Sequence, residues 1–441
     1  MSKSPLFGKI RVIALLTLML CLPLFFISTT IDERAHSRDQ ATADVADSIA
    51  GGQTLAGPVL VLPYQEMVTE TFKDGDKLVT RERWADRSKY WLPEKLDIDS
   101  SLKPDQLHRG IYSVLIYSSA VTMKGHFLVK PEDMMLSNVR LGQPYVALGL
   151  SDMRGMSSSP LLSVNDQPVA LEPASNVPAL PSGLHGNLPA LSPGQMAFSM
   201  QVDIRGTQDM NFLPLGRDTG IDMSSSWDSP SFSGRYLPTS REVGSKGFSA
   251  HWSASYFSDN MAALFAACMK GDCRAFNDNV LGVRLITPVD VYQQSGRAEK
   301  YGFLFVLLTF MAFFLFEMLK ELRIHPMQYT LVGVALVLFF LLLLSLSEHI
   351  PFVQAYVTAA VACIGLQTFY ISHVLRSALR GLGFGLLLST LFAALYALLQ
   401  SEDNALLLGS LLLFIIVAII MVLTRRLDWY QLATGTAQPV E

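Results

Sequence analysis

The stretch Met327 to Leu346, MQYTLVGVALVLFFLLLLSL, runs twenty residues without an Asp, Glu, Lys or Arg. As a helix rising about 1.5 Å per residue it matches the roughly 30 Å hydrocarbon thickness of a bilayer. Five further apolar runs have comparable length: Ile10 to Ile27, Tyr301 to Leu319, Pro351 to Ser372, Gly381 to Leu399 and Ala405 to Thr424. The fold class that follows is an integral membrane α-helical protein with six predicted transmembrane helices, and a large polar domain is inserted between helices 1 and 2. The expected divisions are an anchor over 1–29, an exported domain over 30–299, a five-helix domain over 300–426 and a tail over 427–441.

Orientation is read from Lys and Arg in the short connections, because positively charged loops resist translocation. Lys3, Lys9 and Arg11 precede or open the first run, Lys320 and Arg323 follow the second, Arg376 and Arg380 follow the fourth, and Arg425 and Arg426 follow the last. The turns Ser347-Glu348-His349 and Ser401-Glu402-Asp403-Asn404 carry neither residue. Both termini are therefore expected on the cytoplasmic side and the large domain on the outer side of the membrane. The first run has a second reading as a cleaved signal peptide. Against cleavage stand its length and the helical character of Ile31 to Ala50, which reads as a continuing stalk. Cys21 follows Leu20 rather than a small residue, so it is not a lipoprotein cysteine; Cys21 and Cys363 read as apolar fillers.

The chain is 50% hydrophobic and 16% charged, with net charge −4, so it has no basic excess for nucleic acid. The short cytoplasmic connections leave no room for a kinase, cyclase or nucleotide-binding module. The expected partner at this level is the lipid bilayer, with self-association left open.

In the exported domain Phe248, Ala250, Trp252, Ala254 and Tyr256 alternate with Ser249, His251, Ser253 and Ser255, the pattern of a strand with one buried face. Phe198, Met200, Val202 and Ile204 repeat it. Val59 to Leu62, Ile111 to Ile116, Tyr145 to Leu150, Leu161 to Leu171 with a turn at Asn165-Asp166, and Val283 to Val289 are further strand candidates. Helical pattern is confined to the stalk and Asn260 to Met269, so the domain is expected to be mainly antiparallel β. Pro173, Pro178, Pro181, Pro189 and Pro193 remove backbone donors, making residues 173–195 the candidate boundary between two lobes.

No G-x-S-x-G, H-E-x-x-H, Walker or C-x-x-C motif occurs, and no catalytic residue, cofactor or metal is expected. Ser100-Ser101-Leu102-Lys103 and Ser258-Asp259-Asn260 match pieces of the β-lactamase signature. That chemistry needs Ser and Lys on consecutive helix faces; Pro104 follows Lys103, and no K-T-G strand exists. Cys268 and Cys273 enclose a turn-like spacing in an oxidising compartment, which favours a local disulfide over two free thiols and, last, a metal site.

Glu317 is a functional candidate because a carboxylate inside a membrane is costly to leave charged. Lys320, three residues on, offers the plainer account of an interfacial ion pair. His325 beside Pro326 reads as a helix start, and Glu348 as a solvated turn residue. Asp152 and Arg154, within S-D-M-R-G, complete the candidate set. Gly381, Gly385, Ser389, Ala393 and Ala397 recur every four residues, a row that lets another helix approach closely. Its partner helix belongs to this chain or to another.

The stretches T-F-M-A-F-F-L-F-E-M-L, H-P-M-Q-Y-T-L-V-G and L-L-L-L-S-L-S-E-H between Leu308 and Phe352 resemble the CreD inner-membrane family, the cell-envelope integrity family of Gram-negative bacteria. K-S-P-L-F, G-P-V-L-V-L-P, Y-W-L-P-E, G-I-Y, S-D-M-R-G, F-L-P-L-G-R, Y-L-P-T-S-R-E-V, G-F-S-A-H-W and L-D-W-Y extend the resemblance, in order, over nearly the whole chain. It implies a cytoplasmic-membrane protein controlled by the CreBC two-component system and linked to envelope integrity and to responses to colicins and β-lactams. It supplies no catalytic residues, and the Cys268 and Cys273 pair lies outside the shared pattern. Two function classes follow: a non-enzymatic envelope factor whose β-rich domain binds an envelope component or envelope protein, and a transporter or intramembrane enzyme with Glu317, Gln367 or His325 along a path. Few polar residues lie deep in the spans, which favours the first.

Overall fold

The computed structural model describes residues 5–74, 77–135, 138–257, 260–287, 290–319, 324–401 and 405–425. Lys320, Ser258, Asp259 and the tail from 427 lie outside the described residues. The chain divides into two compact units, one of Met1–Asp39 with Val289–Glu441 and one of Gln40–Pro288.

Nine helices are described: α1 (Pro5–Ser48), α2 (Met261–Cys268), α3 (Arg274–Asn277), α4 (Val291–Lys300), α5 (Gly302–Leu319), α6 (Pro326–Ser347), α7 (Phe352–Val374), α8 (Ala378–Gln400) and α9 (Ala405–Thr424). Every predicted apolar run is helical. The helix of the first run continues without a break through the stalk to Ser48, as the helical character of Ile31 to Ala50 suggests. The count of six spans is met only in part. Among the described residues four helices are long and apolar enough to cross a bilayer, and a fifth is reached only if α4 and α5, bent by 43°, form one span. The described apolar part of α9, Leu407–Val422, is shorter.

Inside the helical unit, close packing replaces the hydrophobic driving force that lipid cannot supply. A Cβ on Gly333 of α6 would lie 2.2 Å from Leu20 of α1 and 2.8 Å from Phe310 of α5, so glycine is what lets these three helices meet. Aromatic rings fill the centre: Phe305 and Phe339 each meet Phe392 edge to face, with ring centres 4.6 and 4.7 Å apart. The Tyr356 hydroxyl donates to the Phe392 carbonyl at 2.7 Å, joining α7 to α8.

The second unit is a sandwich of two sheets. One runs, in spatial order, Pro230–Gly234, Leu281–Leu285, Asp209–Leu213, Gln53–Asp74, Tyr145–Leu150, Gly183–Asn187 and Leu171–Pro173, with Lys77–Trp91 and Val139–Leu141 also paired to Gln53–Asp74. The other runs Ser240–Gly244, Gly247–Ser255, Asp218–Ser225, Lys95–Arg109, Tyr112–Val129, Gly194–Thr207, Leu161–Val164 and Gln167–Val169. Pairing is antiparallel except for Gln53–Asp74 with Asp209–Leu213 and Lys95–Arg109 with Asp218–Ser225.

Period-two patterning places the apolar residues between the sheets. Phe198, Met200, Val202 and Ile204 are all buried there, with Phe248, Ala250 and Trp252. The alternation in Phe248–Tyr256 stops at Trp252, because Tyr256 is 41% exposed beyond the strand end. Tyr145–Leu150 does not alternate: all six residues are buried. Its sheet is covered on both faces, by the partner sheet on one side and on the other by a second apolar cluster to which Phe265 of α2 and Phe276 of α3 belong. The proline-rich segment lies within this one unit, and its Gly183–Asn187 is a strand paired to Tyr145–Leu150.

Candidate functional site

Three groups of polar side chains emerge, two in the helical unit and one in the β unit. Each is built around a candidate carboxylate.

Glu317 lies in the last turn of α5, where the negative end of the helix dipole disfavours an anion. It is nonetheless 2% exposed. Three donors hold it: the ammonium of Lys9 in α1, the Tyr329 hydroxyl of α6 at 2.9 Å, and the backbone N–H of Ile324 at 2.9 Å. Tyr329 is itself fixed, its ring lying 4.7 Å from Phe313 and 5.7 Å from Phe310. The carboxylate therefore joins the starts of α1 and α6 to the end of α5. The cation that neutralises it here is 308 residues away in sequence. His325 caps α6: its Nδ1 accepts from the Met327 N–H at 3.2 Å, and its own N–H donates to Gln328 Oε1 at 3.1 Å.

Glu348 sits at the other end of α6. The sequence suggests a solvated turn, but its side chain is 11% exposed, with Arg34 of α1 at 3.7 Å. The Tyr292 hydroxyl of α4 donates to it at 3.3 Å. Arg38 pairs with Asp290, and Asp290 in turn caps α4 by accepting from the Tyr292 N–H at 3.0 Å. Thus α1 is fastened near both ends of α6, by Lys9 and by Arg34, with its apolar stretch between them.

Asp152 and Arg154 form the clasp of the β unit. Asp152 caps the short 3-10 turn Met153–Gly155 and accepts from the Arg154 guanidinium at 2.7 and 3.0 Å and from the Gly51 N–H at 3.3 Å. Hydrogen bonds from Arg154 outweigh partial burial and hold the Asp152 carboxyl below the usual carboxylate range. Arg154 also donates to the Asp47 carbonyl in the last turn of α1, and Gln53 donates to the Asp152 carbonyl at 2.9 Å. Gly155 completes the motif because a Cβ there would lie 2.1 Å from the Gln53 amide nitrogen. S-D-M-R-G thus binds the foot of the stalk to the first strand.

The small-residue row of α8 splits. A Cβ on Gly381 would lie 1.9 Å from Ser372 Oγ, and one on Gly385 2.3 Å from Thr368 Oγ1, so both glycines face α7. Ser389, Ala393 and Ala397 are exposed instead. Four residues overshoot a helical turn by about 40°, so a strict row of this spacing winds off a straight neighbour. Within α7, Gln367 donates to Cys363 Sγ at 3.2 Å, while its buried Oε1 has no partner among the described residues.

Ser100 and Lys103 lie on opposite faces of the strand Lys95–Arg109: Ser100 is buried 3.0 Å from Ser119 Oγ, and Lys103 is exposed. Cys268 and Cys273 are joined by a disulfide that links the end of α2 to the start of α3. Among the described residues no three His, Cys, Asp or Glu side chains gather as a metal site.

The family model for "Inner membrane protein CreD" matches residues 5–430. The chain belongs to the CreD family. The inner membrane protein CreD of Escherichia coli (strain K12) is 36% identical over 433 residues, which cover 98% of this chain and 95% of that one. CreD membership makes this an inner-membrane protein, and it spans almost the full length of its relative. Among solved structures, an M1 zinc metallopeptidase variant from Deinococcus radiodurans aligns at 10% identity and a TM-score of 0.19, covering 36% of this chain and 38% of that one. A likeness that low carries no argument about the CreD fold or its chemistry.

Proposed function

We propose that this protein is a membrane-anchored envelope factor with six spans, both termini in the cytoplasm and the β unit in the periplasm, where it supports envelope integrity by binding without catalysis. The single observation that carries this reading is the engagement of the candidate residues. Glu317, Glu348, Asp152, Arg154 and His325 all hold elements of the fold together. A group poised for proton transfer or transport needs a substrate within reach, whereas Glu317 is buried with three donors already on it. Loop charge supports the orientation: Arg376 and Arg380 flank the start of α8, at the end of the bundle expected to face the cytoplasm.

The test is envelope tolerance in cells carrying Glu317→Gln, which keeps an acceptor for Tyr329 and Ile324 but removes the charge. At matched membrane abundance, tolerance to colicins and β-lactams stays within twofold of wild type. Abolished tolerance with insertion unchanged would instead favour transport or intramembrane chemistry. An active periplasmic reporter fused at Arg380 would overturn the orientation.

A further inference from the structure

The outer core of the nine-stranded sheet is covered only in part. Alongside α2, a cleft of about 560 Å³ opens between this helix and the corner Ser88 to Glu94, within the range of small-ligand sites. Its apolar wall is formed by Tyr90, Leu92, Leu215, Met261, Phe265 and Met269. Tyr90 and Phe265 meet edge to face at 5.6 Å, which gives the wall a fixed aromatic centre, while the two methionines supply adaptable surface.

The charges around this wall have one dominant sign. Lys89, Arg217 and Lys270 line the cleft against a single carboxylate, Glu94, on a chain whose net charge is −4. Lys89 is neutralised from outside the lining by Asp133 at 2.7 Å. Arg217 lies over the Tyr256 ring at 5.0 Å and reaches Glu94 with one nitrogen at 3.4 Å, using one of the five donors of its guanidinium. Lys270 is exposed. The lining thus keeps an excess of positive charge beside an apolar wall.

We propose that this cleft binds a single-chain anionic amphiphile, a fatty carboxylate whose chain lies along Tyr90, Phe265 and Met269 and whose head is held by Arg217 and Lys270. The inference deepens the binding reading above and rests on it. The disulfide gains a role here. Met269 and Lys270 lie in the short loop that Cys268 and Cys273 close, so one covalent bond sets both a wall residue and a head-binding residue. Reduction frees that loop and weakens the site.

The experiment uses the full chain in phosphatidylcholine nanodiscs with a diazirine-bearing palmitic acid, and the labelled peptides are read by mass spectrometry. Expected is label on residues 88–94 and 261–270, reduced at least fivefold by Arg217→Glu with Lys270→Glu, and reduced severalfold by dithiothreitol. Label on the apolar helices stays constant and controls for folding. A diazirine hexadecanol, lacking the carboxylate, labels the cleft at least fivefold less. Equal labelling by the alcohol, label confined to the helices, or an unaffected double variant each overturns the proposal. A phenylalanine-rich anionic peptide that displaces palmitate without itself being displaced would also overturn it, since the occupant is then a protein segment. Labelling is read on isolated protein, so its failure is separate from a failure of the envelope reading, which the tolerance assay measures.

Discussion

Glu317 in the helical unit and Asp152 in the β unit are both carboxylates held by a cation and a backbone N–H, yet their partners come from opposite extremes of sequence distance. Asp152 takes its cation from Arg154, two residues on, and stays in contact with water through a half-exposed guanidinium. Glu317 takes its cation from Lys9 at the other end of the chain and is itself shut away from solvent. A local pair is fixed by a turn and adds little that the turn has not already ordered. A remote buried pair exists only after three helices have assembled, so it reports on that assembly. The small-residue row of α8 shows the same division within one helix, with Gly381 and Gly385 facing α7 and Ser389 and Ala393 outside.

Removing the remote cation is expected to give the largest effect. Lys9→Met leaves Glu317 buried beside Tyr329 with no counter-charge among the described residues, and breaking a buried pair in this way costs about 3 kcal/mol, at the low end because Lys9 is itself partly exposed. The loss is measured by thermal unfolding of the full chain in nanodiscs, followed by a fluorophore on α6. Arg154→Met, followed by a probe on the β unit, is expected to cost less; equal losses would break the comparison between remote and local pairs.

Next in size is the contrast within α8. Gly385→Leu drives a side chain into Thr368 and costs about 1–3 kcal/mol through overpacking, read as a lowered unfolding temperature of the helical unit. Ala393→Leu, on the exposed side of the row, stays within about 0.5 kcal/mol. If Ala393→Leu proves the more disruptive of the two, the outer half of the row is an interface with a second copy.

The smallest effect concerns acid. The folded-state pKa of Asp152 is lowered chiefly by its hydrogen bonds from Arg154, so its contribution is present above the unfolded carboxylate value of about 3.9 and is lost as pH falls through the folded value. Asp152→Asn should therefore flatten the acid limb of β-unit stability below about pH 4 while leaving its shape at neutral pH unchanged, as followed by tryptophan fluorescence. An unchanged acid limb would show that the clasp rests on its backbone hydrogen bonds alone.

Much of the fold could be read from residue order. The strand with Phe198, Met200, Val202 and Ile204, the turn at Asn165 and Asp166, and the helicity of every apolar run follow from local periodicity and turn chemistry, which act over a few residues. Tyr145–Leu150 was legible as a strand but not as one buried on both faces, because that depends on α2 and α3 arriving more than a hundred residues later. Of the candidate sites, Glu317 and Glu348 stood out as unusual charges, but nothing in their neighbourhood signalled Lys9, Tyr329, Arg34 or Tyr292 as partners.

By itself the sequence determined that this chain enters a membrane, where its one large polar domain is inserted, which residues alternate into a β core, and the family to which it belongs. These are properties of composition and short-range period, and both are set before the chain folds. The tertiary structure decided which charges meet, which glycines of the α8 row touch α7, and that a cleft opens alongside α2. Such features depend on segments far apart in sequence coming within a few ångströms, and burial strengthens the resulting contacts only after the packing that creates them is complete.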